Sequence, residues 1–151
     1  MNTTLLAPLA LLAGAALAAQ ATANARLGVL LQSSLAATGF AFFASLVVTL
    51  VTLTALRRPL PGAALAGDVP VYLWFVGGLL SAFGVGAFYW LIPQLGVARV
   101  VALGLVGQLA FSSAASHFGW FGLPVVPIDT ARIVGLGCLV SGTVLVLRSS
   151  P

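Results

Sequence analysis

The chain has no lysine and no glutamate, and its 151 residues include two aspartates, one histidine and one cysteine. Charged residues make up 5% of the total, too little polar material to cover a water-soluble globule. The single cysteine, Cys138, cannot form an intrachain disulfide; it lies in an apolar run and reads as a small packing residue, which leaves the redox compartment open. One histidine, one cysteine and no phosphate-cradling glycine loop ahead of a helix give nothing from which to assemble a nucleophile and base or a metal site. An enzyme is therefore not expected, nor any cofactor. The net charge of +4 comes from six arginines spread singly or as one pair between apolar runs, which is not the basic stripe of a nucleic-acid binder.

What is present is apolar. Hydrophobic residues make up 61% of the chain and the mean hydropathy is +1.18, so the surrounding solvent must be lipid. Five stretches meet the need for about 20 mostly apolar residues per membrane crossing: residues 5–22, 35–56, 71–92, 97–115 and 133–147. The backbone groups of each must be paired inside lipid, and the runs are too long and unalternating for barrel strands, so an all-α integral membrane protein of five transmembrane helices follows. The longest connection, Arg57-Arg58-Pro59-Leu60-Pro61-Gly62 to Pro70, is a Pro/Gly/basic segment that no helix can cross. The first stretch also has the look of a signal peptide, but MNTT carries no Lys or Arg, and the expectation is that the span is retained. The absence of lysine and the Ala/Leu/Gly/Val bias suggest a bacterial source, hence the inner membrane.

The most distinctive stretch is GQLAFSSAASHFGWFGLPVVP, from Gly107 to Pro127, followed by IDTARIVG. It puts a glutamine inside an apolar helix, the one histidine at its far end, and a Gly/aromatic/Pro turn before an Asp able to cap the next helix. This resembles the small YdcZ-type membrane proteins of the drug/metabolite transporter (EamA-like) superfamily. These carry a GQ in the fourth span, an acidic-His-Phe-Gly turn, a Gly-x-Pro-x-x-Pro connection and a basic fifth span. Gln20 with Asn24-Ala25-Arg26-Leu27 matches the family's QxxxNAxL pattern at the end of the first span, so the resemblance extends over nearly the whole chain. Ser116 departs from it: the family usually has Asp there, so that acid's role in proton coupling or a local ion pair does not carry over.

The resemblance implies half of a ten-helix inverted-repeat transporter, with the substrate between repeats near the midplane. No repeat is evident inside the chain, so the other half must come from a second polypeptide, as an antiparallel homodimer or a heterodimer with a related half. The arginines fit the first of these. Five spans place the termini on opposite faces, with Arg57, Arg58 and Arg132 on the N-terminal face and Arg26, Arg99 and Arg148 on the other. Three against three gives the positive-inside rule nothing to act on, so dual topology is expected unless another feature breaks the tie.

Gln20 and Asn24 are four apart on one face of the first helix, and Gln108 and Ser112 share a face of the fourth. They are candidates to line a central site and hydrogen-bond a small polar solute, with Tyr89 a further candidate; the alternative is that the amides pair with each other or with backbone carbonyls. No Asp, Glu or Lys lies in any span, which counts against a buried-acid ion pathway and favours a neutral or zwitterionic solute or facilitated diffusion; a cationic solute is a further candidate. His117 is either a proton relay or a structural residue at the membrane interface. Asp129 reads as the N-cap of the last helix, and Arg132 could pair with it or with lipid phosphate. Gly78, Ala82 and Gly86, and Gly137 with Ser141 and Cys138 with Gly142, form packing stripes at four-residue spacing. Trp74 and Trp90 are spaced as anchors for the two interfaces. The functional expectation is a small-molecule transporter, in all expectation an exporter; the alternative is a non-transporting scaffold or regulatory subunit.

Overall fold

A computed structural model describes residues 3–58, 62, 67, 69–122 and 124–148. It contains five long helices: α1 (Thr3–Leu30), α2 (Ser34–Ala55), α3 (Val71–Leu95), α4 (Val97–Phe118) and α5 (Thr130–Arg148), with a short 3-10 turn at Trp120–Gly122. All five are long and apolar enough to cross a membrane, and no strand occurs among the described residues. The chain divides into two compact units, Met1–Gln94 and Leu95–Pro151. Pro59, Leu60 and Pro61, expected to break the chain between the second and third spans, lie outside the described residues.

The helices are apolar on nearly all sides, as expected where lipid covers the outside. At most 17% of the most apolar 18-residue window of any span is buried. Large side chains such as Leu11, Phe43, Phe83 and Leu145 all lie on the surface. Trp74 and Trp90 are exposed as well, which suits membrane anchors.

The first helix runs eight residues past the expected end of its span. The apolar stretch ends at Thr22, before Asn24 and Arg26, yet α1 continues through them to Leu30. Its 28 residues cover about 42 Å, more than the ~30 Å hydrocarbon core. A helix can carry polar side chains at no backbone cost, and Gln20 and Asn24 find partners inside the first unit.

In that unit α1 turns into α2 through Leu31, Gln32 and Ser33 alone. Gln32 sits at φ 53, and the Gln32 and Ser33 amides donate to the carbonyls of Val29 (3.2 Å) and Gly28 (2.9 Å). This is the bond pair of a Schellman motif, with glutamine where glycine is usual. Ser33 is at once the N-cap of α2, its hydroxyl accepting from the Ala36 amide at 3.1 Å. A seam of small residues lets the two helices meet: Ala21, Ala25 and Gly28 on α1 and Ala37 and Ala41 on α2 are all buried. A Cβ on Gly28 would lie 3.3 Å from the Ser34 Cα. On α3, a Cβ on Gly86 would lie 3.4 Å from the hydroxyl of buried Thr38, whereas Gly78 faces open space. The stripe expected on the third span thus meets a neighbour at one end only.

In the second unit α4 and α5 pack as a hairpin, with Ser113, Ala115 and Thr143 buried. The α5 stripes face outward: Gly137 and Gly142 have open space around them, Cys138 is exposed, and Ser141 donates to the Gly137 carbonyl of its own helix at 2.8 Å.

Candidate solute-binding site

The first unit brings three of the expected polar residues together. The Gln20 side-chain amide donates to the Tyr89 hydroxyl at 3.3 Å, and the Asn24 side chain also hydrogen-bonds that hydroxyl. Tyr89 is the largest fully buried side chain among the described residues, 2% exposed, so α3 plants a phenol against the polar face of α1. Beside this cluster lies a cavity of about 560 Å³, walled by Gln20, Asn24 and Leu27 of α1 and by Phe40, Phe43 and Ser45 of α2. No ionisable side chain lines it. Its donors and acceptors are carboxamides and a hydroxyl, and its aromatic faces can attract a cation. The arrangement suits a small solute that is neutral, zwitterionic or cationic.

Tyr89 also walls a second cavity in the same unit, about 350 Å³, bounded by Gly28, Ser33 and Ser34 at the α1–α2 turn and by Pro93 and Gln94 of α3. Proline at position 93 cannot supply the helical N–H to the Tyr89 carbonyl, and the Gln94 side chain donates to the adjacent Trp90 carbonyl at 2.9 Å. The phenol therefore lines this second cavity, at a weakened turn of α3, while its partner Gln20 lines the first. Sequence reasoning missed Pro93 and Gln94, although a proline followed by an amide in an apolar run was the available signal.

Gln108, Ser112 and His117 belong to the second unit. Gln108 is exposed and lines none of the cavities described here, and Ser112 donates to the Leu109 carbonyl at 3.2 Å. His117 closes the turn after α4: its Nδ1 accepts the Ile128 backbone N–H at 3.2 Å, which puts the ring proton of the neutral form on Nε2. The Ser116 carbonyl accepts the Val126 N–H at 2.9 Å, and Gly119 at φ 63 ends the helix. Phe111, Phe118 and Trp120 cluster there with ring centroids 5.8 Å apart. Asp129 Oδ1 accepts the Arg132 backbone N–H at 2.8 Å, as an N-cap does, while the Arg132 guanidinium donates to the Val126 carbonyl at 3.4 Å. No group of three or more His, Cys, Asp or Glu able to hold a metal occurs among the described residues.

No curated protein and no solved structure matches the chain. The family model described as "Putative inner membrane exporter, YdcZ" matches residues 5–145, which takes in all five helices nearly end to end. The chain is a multi-pass inner membrane protein and belongs to the YdcZ family of inner membrane exporters.

Proposed function

We propose that the protein exports a small polar, zwitterionic or cationic solute, held by Gln20, Asn24 and Tyr89, and that it works as one of two paired five-helix halves by alternating access. The observation that carries this reading is the cluster of two carboxamides and a buried phenol beside an uncharged, aromatic-walled cavity of about 560 Å³. Polar groups in a span require partners, and a solute seated there would supply the hydrogen bonds that the helices leave open. Pairing is supported by the large apolar surface of the single chain, which a second copy or a related half would cover in part. In the second unit Gln108 and Ser112 are kept as candidate solute contacts and His117 as a candidate proton relay, the last beside its structural bond to the Ile128 N–H.

The rival reading, a scaffold or regulatory subunit, draws on the same bond: the Gln20 amide already has an internal partner in Tyr89. Efflux of candidate amines and zwitterions from proteoliposomes, with wild type beside Gln20→Ala and Asn24→Ala, separates the two. The transporter reading expects flux in the wild type and its loss in variants that still assemble. Variants that lose assembly, or a wild type that moves no solute, would favour the scaffold.

A further inference from the structure

The second unit holds a pocket of different chemistry. Between the last two turns of α4 and the first two of α5 lies a cavity of about 220 Å³, walled by Ser112, Ser113 and Ser116 on one side and by Arg132 and Gly135 on the other. Arg132 is the one formal charge on its wall. Asp129 is engaged at the start of α5 through the Arg132 backbone N–H, so the nearest carboxylate caps the helix instead of meeting the guanidinium. The guanidinium reaches a single carbonyl, Val126, at 3.4 Å, and its fork of five N–H donors can serve more than that one contact.

Ser112 gives its proton to the Leu109 carbonyl, while Ser113 and Ser116 bring two further hydroxyls to the same wall. A Cβ on Gly135 would meet nothing within 4 Å, so the α5 side leaves room for a ligand. The adjoining helix ends carry dipoles of opposite sign, negative for α4 and positive for α5, which offset each other and leave the arginine to set the local field. The neighbouring turn, with Phe118 stacked on Trp120 at 5.8 Å, has the aromatic composition of a membrane interface, where headgroups are met.

We infer that Arg132, Ser113 and Ser116 form an oxyanion site that takes a phosphate group. A planar guanidinium beside hydroxyl donors is the arrangement that matches phosphate oxygens, and the half-exposed position admits either the headgroup of an anionic lipid or a free phosphate. All of its residues belong to the second unit, so its test does not depend on what the cavity of the first unit carries.

The test is thermal unfolding of the full chain in an uncharged detergent, titrated in parallel with inorganic phosphate and with short-chain phosphatidylglycerol. Sodium chloride at matched ionic strength is the control. Wild type is compared with Arg132→Gln and with the double variant Ser113→Ala/Ser116→Ala. The site expects a saturable shift with at least one probe, apparent affinity weaker by about tenfold or more in Arg132→Gln, and a smaller, few-fold loss in the serine pair. Saturation with inorganic phosphate identifies an aqueous oxyanion as ligand, and saturation with lipid alone identifies a headgroup. No saturable shift in the wild type, or equal affinity in wild type and variants, overturns the site. Should Arg132→Gln fail to fold, the serine pair reads the same difference.

Discussion

The bond between Gln20 and Tyr89 can be measured by a double-mutant cycle. Gln20→Ala removes the donor and Tyr89→Phe removes the hydroxyl while keeping the ring, so neither opens a large void; Tyr89→Ala would, at about 3–5 kcal/mol for a buried aromatic, and would bury the signal under packing loss. Interhelical hydrogen bonds in membranes couple by ~0.6 kcal/mol on average, with a maximum near 1.7. The Gln20 bond is 3.3 Å long, beyond the usual 2.9–3.0 Å for N–H···O, which places it in the lower part of that range. We therefore expect Tyr89→Phe and Gln20→Ala to be non-additive by about 0.6 kcal/mol, read from denaturant titration of the folded protein in detergent. Tyr89→Phe alone should cost more than the coupling, because it also removes the Asn24 contact. Additivity to within ~0.3 kcal/mol would show that the pair does not interact and that the cluster is not held as described.

Other expectations test the frame around the site. Gly28→Val should destabilise the first unit by about 1–3 kcal/mol in the same titration, because a Cβ there presses on Ser34 backbone at 3.3 Å, whereas Gly137→Ala, with open space around it, should be near neutral. Asp129→Ala should lower stability by about 1 kcal/mol through loss of the α5 cap, and Asp129→Asn should restore most of it; equal loss in both would point to charge instead of capping. His117→Ala should leave the Ile128 N–H without its acceptor and speed amide exchange at Ile128; unchanged exchange would refute the structural role of the ring. For orientation, two C-terminal reporters, one active only in the cytoplasm and one only outside it, should both give signal, and signal from one alone would remove dual topology for the chain on its own.

The five helices were legible in the sequence because length and apolar content suffice in lipid, where no amphipathic stripe has to be found. Their ends were less so. The apolar stretch ends at Thr22, before Asn24 and Arg26, and sequence does not show that Tyr89, some seventy positions away, takes up the Gln20 and Asn24 side chains. Gln20, Asn24 and Tyr89 could each be named from polarity in an apolar run, but their meeting depends on how α3 docks. The seam that lets α1 and α2 approach, Ala21, Ala25, Gly28, Ala37 and Ala41, was hidden by abundance: alanine and glycine recur so often that helical spacing does not single out the used face. The stripe on α5 shows the converse, since Gly137 and Gly142 meet nothing among the described residues and Cys138 is exposed. Arg132 and Ser116 stand sixteen positions apart, and only the turn closed by His117 and Val126 puts them on one pocket.

The three-residue link between α1 and α2 bears on how the chain enters the bilayer. Leu31, Gln32 and Ser33 leave no slack: the amides of Gln32 and Ser33 finish one helix while the Ser33 hydroxyl starts the next. Three residues span at most about 11 Å, far short of the ~30 Å core, so α2 can only run back across the bilayer against α1. Any choice of orientation is then made for the pair at once. A charge added near Arg26 would turn over both helices or neither, so in this chain the unit of topology is the hairpin, not the individual span.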